Sequence, residues 1–455
     1  MRRTILLLSC LVLGACAPGT LPREAASARS AMPEQVVLPP MKRFAAPRPT
    51  PPQRANRDIA RDFLDLAFQM ESGRVLEQFS RFEGPITVRV AGRLPDMLMS
   101  DLTGLIARLR AEAGVDIRLV TTGSANITIE AVSSADIRRH LPSAACFVVP
   151  GITSLGQYRS ARNARRTDWT RIVRRETVAL FVPNDTSPQE TRDCLHEEIA
   201  QAIGPLNDLY RLPDSVFNDD NVHSVLTGFD MLILRAYHAP ELRPGMSRAE
   251  VAARLPAILA RLNPRGETVT PNPLPPSPRA WIAAIQTALG PNAGAGARRA
   301  AAVAAVQIAQ AEGWNDHRRA FGHFVLGRLT QATEPAFALR QFVLADRIHA
   351  RTPGNELHRA FVAVHLASHE IARGDREAAL ARLARFIGIA ERHENAALLA
   401  TLMMLQSEAL AMEGRLAEAQ AARLDSLGWA RYGYGMDRTL EARLREAGSL
   451  TPPRR

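Results

Sequence analysis

The sequence predicts an α+β domain over residues 58–261 followed by an all-α helical-repeat domain over 280–446, and three observations carry that reading. Short β-branched runs alternate with helical periodicities in the first stretch. In the second, strands vanish and alanine-rich helices come in pairs. Between them Pro271, Pro273, Pro275, Pro276 and Pro278 mark a linker at 262–279. The 455 residues, 46% of them hydrophobic, supply material for two or three domains and exclude a disordered chain.

The chain opens on a secretion signal, with Arg2 and Arg3 before the apolar run Ile5 to Leu13, then Gly14, Ala15 and Cys16. The run is short for a membrane span. Its end resembles the lipobox of bacterial lipoproteins, which implies removal of residues 1–15 and a lipid on Cys16. Ala17 after the cysteine implies, in that family, sorting to the outer membrane in preference to the inner one. The expected location is therefore the cell envelope, lipid-anchored and periplasm-facing, with ordinary cleavage to a free periplasmic protein as the alternative. Residues 16–57 read as a proline-rich tether. With Cys10 removed and Cys16 lipidated, Cys146 and Cys194 remain, and two cysteines in an oxidising compartment suggest one disulfide. Neither belongs to a C-x-x-C, which disfavours cysteine–metal chemistry.

From Asp58 onward Ile59, Phe63, Leu66 and Met70 stand at helical spacing. Residues 86–90 read as a strand, Leu102 to Ala113 as an amphipathic helix, and 116–120, 126–129, 146–149 and 177–182 as further strands of one sheet. Thr186, Ser187 and Pro188 open a helix that runs through Ile203, where Gly204 is placed to end it. Beyond Pro278, Ala338, Ala379 and Ala419 recur at intervals of about forty residues, each just after a turn. Gly374-Asp375-Arg376-Glu377-Ala378-Ala379-Leu380 and Gly414-Arg415-Leu416-Ala417-Glu418-Ala419 resemble the turn and small second-helix position of tetratricopeptide repeats. That resemblance implies a short solenoid whose concave face holds a peptide or helix; a plain helical bundle is the alternative. Residues 447–455 form a C-terminal tail.

The formal charge of +11 is no nucleic-acid signature, because Lys42 is the one lysine among 57 basic residues and export separates the chain from nucleic acid. The densest basic run, Arg159 through Arg175 with Tyr158 and Trp169, reads as a solvated helix or loop, or as a contact for anionic headgroups or glycans.

The chemistry-bearing segment is Cys194 to Asp208. A His-Glu-x-x-His reading fails, since a second ligand one turn after His196 would be Ala200. One residue later the segment reads E-E-x-x-Q-x-x-G-x-x-N-D, which resembles the metzincin branch of the zincins. Glu198 takes the place of the general base, Gly204 that of the turn glycine, and Glu197, Gln201 and Asn207 those of the three metal ligands. Downstream, Ser215-Val216-Phe217-Asn218 is similar to the Met-turn of that family, and Leu226-Thr227-Gly228-Phe229-Asp230 to the opening of its closing helix. The stretch Leu195 to Met246 resembles a family of bacterial envelope lipoproteins named only as a domain of unknown function.

What the resemblance implies is a zincin-like (metzincin-like) α+β fold that has lost its chemistry. One carboxylate and two amides make a poor zinc set, and Glu198 without a metal has no activated water. No cofactor is expected. If a cation binds, it is zinc at Glu197, Gln201 and Asn207, or calcium among Glu197, Glu198, Asp208, Asp219, Asp220, His196 and His223. The plainer reading makes Asn218 to Asp220 a turn that caps the next helix and His196 a packed residue. Glu197, Gln201, Asn207, Asp208 and His223 are the candidates for lining a cleft. The expected function is a lipid-anchored envelope protein that binds a protein or extended peptide, through this cleft and the repeat domain, without cutting it. The alternatives are a metallopeptidase with Glu198 as base and a purely structural lipoprotein. Membrane contact is expected through the lipid alone.

Overall fold

A computed structural model describes residues 39–44, 50–92, 94, 96–142 and 144–435; the expected signal, Cys16, most of the tether and the C-terminal tail lie outside the described residues. Helix α1 (Asn56–Ala67) buries Ile59, Phe63 and Leu66. It stops short of Met70, contrary to the spacing, because the chain doubles back there. Gln69 forms a β-bridge with Val75, and the Met70 N–H donates to Arg74 O.

The sheet is built from β1 (Ile86–Ala91), β2 (Ile117–Leu119), β3 (Ile127–Val132), β4 (Phe147–Pro150) and β5 (Val178–Pro183), in the order β2-β1-β3-β5-β4. All pairings are parallel except β4 with β5, which run antiparallel with Phe147 opposite Phe181. Parallel neighbours need crossovers. Helix α2 (Asp96–Glu112) makes the first, and it starts earlier than the sequence suggests because Leu98 continues the buried row Leu102, Leu105, Leu109. The short helices α3 (Ser134–His140) and α4 (Leu155–Ala161) flank β4. Strand β5 is buried at every position, as an interior strand covered on both faces must be.

Helix α5 (Pro188–Ile203) follows β5 and carries the motif. Its start is a capping box, Ser187 accepting from the Glu190 N–H and Glu190 from the Ser187 N–H. A disulfide joins Cys194 to Cys146, just ahead of β4, and ties the helix to the sheet edge. Gly204 ends the helix for a reason other than the left-handed cap. Its φ is −135°, and a Cβ there would sit 2.5 Å from Leu234 Cδ2 and 2.9 Å from Ala200 O, so close approach demands the glycine. Leu234 belongs to α6 (Gly228–Tyr237), which Thr227 and Asp230 cap, and α7 (Arg248–Leu262) closes the α/β region against α1.

Arg175 departs from the expectation of a solvated basic run. Only 2% exposed, it donates from Nη1 to Gln201 O and Ala202 O at 2.8 Å each and from Nη2 to the Tyr237 hydroxyl at 3.2 Å. It satisfies the last carbonyls of α5.

After the proline segment the described residues form helices and no strands, in the hairpins α8 (Arg279–Leu289) with α9 (Ala295–Ala311), α10 (His317–Thr330) with α11 (Pro335–His349), α12 (Glu356–Ala372) with α13 (Arg376–Arg392), and α14 (Ala396–Met412) with α15 (Leu416–Gly433). Ala338, Ala379 and Ala419 are buried where the helices meet, and Gly374 and Gly414 turn the chain with φ of +79° and +78°. Among the described residues no helix is long and apolar enough to cross a membrane.

The helical region packs on the α/β region through polar contacts. Arg192 on α5 pairs with Glu394, Gln189 Oε1 accepts from the Ala397 N–H at 2.9 Å, and the Tyr432 hydroxyl donates to Asp101 at 2.6 Å. The segment Pro39–Phe44 lies against α15: the Lys42 N–H donates to Gly428 O, Arg431 donates to Pro39 O, and Phe44 stacks on Trp429 at 4.4 Å.

Arg175→Ala leaves two buried carbonyls and a buried hydroxyl short of a partner and should lower unfolding stability in urea by about 3 kcal/mol. Arg174→Ala removes only an exposed pair with Glu83 and should stay within about 0.5 kcal/mol of the parent.

Candidate functional site

Glu197 and Gln201 stand one turn apart on α5, and Asn207 follows on the loop after Gly204. The structure does not aim them at one point. Gln201 Nε2 donates to Glu71 at 3.3 Å, and Asn207 Nδ2 donates to Asp65 O at 2.9 Å. Both amides serve as hydrogen-bond donors, and the three positions do not fit zinc, which needs three good donors converging on an open site. His196 is a packing residue: its Nδ1 accepts the Leu226 N–H at 3.1 Å, and burial holds its pKa well below the ordinary imidazole value. Glu198 is 4% exposed and its Oε2 has no donor. Burial, then the charges of Glu197 and Glu71, push its pKa well up.

What the fold assembles instead is a set of acids. A small cavity of about 70 Å³ is lined by Asp193, Glu197, Asp208, Asn218, Asp219 and His223, among others. Glu71 approaches from the turn after α1, and one carboxylate oxygen from each of Glu71, Asp208 and Asp219 falls within 4.8 Å of the others. Burial, reinforced by mutual repulsion, raises every one of these groups, and Glu197 reaches about 8. The segment Asn218 to Asp220 is a turn, as its composition suggests, with Asn218 Nδ2 donating to Leu212 O at 2.7 Å. It caps no helix, because the next one begins only at Gly228 under Thr227.

His223 lies half-buried with Nε2 against Pro213 O at 3.0 Å. Its ring meets two histidines of the helical region, His393 at 5.3 Å and His358 at 6.0 Å, and His358 is in turn 5.0 Å from His349 and 6.1 Å from His317. His358 Nε2 bonds Asp220 at 3.0 Å and His317 Nε2 bonds Tyr210 O at 2.7 Å, which leaves Nδ1 of both buried without a partner. Sequence reasoning missed this cluster and Glu71. Most of the 11 histidines lie beyond Pro278, a compositional signal for the cluster. Glu71 carries no such signal, since it reaches the site only through the fold.

A second cavity, of about 920 Å³, lies between the two regions. Arg54, Thr227 and Phe229 wall it on one side, Trp314, Asn315 and Arg392 on the other, and His223 is shared with the small cavity.

Two opposite pH dependences follow. The His223 pKa sits at about 4, lowered by burial and by His358 against the opposing pull of Asp220, so the unfolded chain takes the proton first. Stability should fall as pH drops from about 6.5 to about 4, by about 2–3 kcal/mol from this residue. His223→Asn should flatten that part of the curve of melting temperature against pH. Glu197 behaves inversely: its folded pKa lies above the unfolded one, so stability is lost as pH rises from about 4.5 toward about 8. Glu197→Gln should therefore gain on the parent between pH 5 and pH 8.5.

No curated protein matches the chain. Residues 56–257, from the first residue of α1 into α7, match the family described as "Protein of unknown function (DUF2927)".

Proposed function

We propose that the protein is a lipid-anchored envelope protein that binds a protein segment or extended peptide without cleaving it, using a zincin-like region that has lost its metal and a tetratricopeptide-like helical region. The observation that carries this reading is the cavity of about 920 Å³ walled by both regions, which is large enough for several residues of peptide. Its wall mixes apolar surface from Phe229, Leu226 and Trp314 with the charged ends of Arg392 and Glu356, as recognition of a chain with its own polar backbone requires. Strand β4, at the sheet edge, does not line the cavity, which supports a peptide held between the regions in preference to one along that edge. The peptidase alternative is disfavoured by the engaged amides of Gln201 and Asn207 and by the depth of Glu198.

Equilibrium dialysis of the full chain against a defined mixture of unstructured peptides, read by mass spectrometry, tests the proposal. Retained peptides should be intact, and Asn315→Trp, which fills the cavity wall, should reduce retention at least about tenfold. No retention by the parent rejects binding, whereas fragments that disappear with Glu198→Gln would reinstate the peptidase.

A further inference from the structure

We propose that Glu71, Asp208 and Asp219, with Glu197 facing the same cavity, form a calcium site. Three facts bear on this beyond the presence of acids, and none depends on peptide binding.

The first is spacing. The three carboxylate oxygens lie within 4.8 Å of one another, close enough for one cation to touch all three. The second is a shortage of donors inside the fold. Asp193 Oδ1 and Asp208 Oδ1, both from residues lining the cavity, are wholly buried and have no hydrogen-bond partner. So is Oε2 of Glu198, a residue 4% exposed that feels the charges of Glu197 and Glu71. Buried carboxylate oxygens left without donors are costly, and a cation satisfies them. The third is the absence of a compensating charge: among the described residues no ion pair reaches Glu71, Asp193, Glu197, Asp208 or Asp219, although arginines pair with neighbouring Asp62 and Asp65.

The donor set selects the ion. Carboxylate oxygens without nitrogen or sulfur suit a hard cation, and an irregular oxygen cage suits calcium better than magnesium, which demands a near-octahedral shell. The cavity of about 70 Å³ leaves room for coordinating water. Around the ligands, Gln201 Nε2 orients Glu71 and Tyr210 hydrogen-bonds Asp219.

The test is calorimetric titration of the chelator-stripped full chain with calcium chloride at pH 7.5, without peptide present. One saturable site is expected, weakened at least about tenfold by Glu71→Gln. Glu71 is exposed, so this variant keeps the fold, and Asp219→Asn should abolish binding. Glu241→Gln, at a surface pair with Arg261, should bind as the parent does. No saturable binding up to millimolar calcium, binding that Glu71→Gln leaves unchanged, or a preference for magnesium would overturn the assignment. Should Asp219→Asn fail to fold, Glu71→Gln still decides.

Discussion

Helix α5 is buried along most of its length while carrying Arg192, His196, Glu198 and Gln201, and the architecture is organised around making that burial tolerable. Each polar group on such a helix needs a partner from another element. Glu394 supplies one for Arg192, the Leu226 N–H one for His196, Glu71 one for Gln201, and Arg175 caps the terminal carbonyls. These partners come from the helical hairpins, the loop before α6, the turn after α1 and the segment ahead of β5. A single helix therefore fixes the relative placement of four otherwise distant parts. Glu198 and Asp193 are the groups left over, and their unpartnered oxygens mark where the arrangement is least complete.

The two cavities are different in kind but not independent. The small one is a pocket of like charges held together by the fold, the large one a mixed surface shared between regions. His223 belongs to both walls, and through His358 it touches Asp220, which neighbours the acid set.

Much of the fold was legible because local chemistry and global placement agree. The strand at 86–90 and the helix start at Ser187 follow from residue patterns a few positions long, and the structure places elements at both. Local pattern failed where tertiary contact overrode it. Met70 keeps the helical spacing yet falls in a reversal, and Gly204 is required by Leu234 and not by its own backbone angle. The motif residues were legible as a linear series, but their partners were not. Glu71 contacts them from a turn and Asp65 from the end of α1, neither with a distinguishing pattern, and the histidine cluster draws on three helices and one loop of the opposite region.

The contact of Pro39–Phe44 with α15 bears on the order in which the chain can complete itself. Lys42 pairs with Asp425 across a separation of 383 residues, and Phe44 stacks on Trp429. Closing so long a loop is slow compared with forming the hairpins between. During vectorial synthesis the first described segment emerges long before its docking surface exists, and it stays exposed to proteases and to other chains until the last described helix arrives. A chain that stops before Leu416 never supplies that surface, so a truncation at one end announces itself as a loose segment at the other.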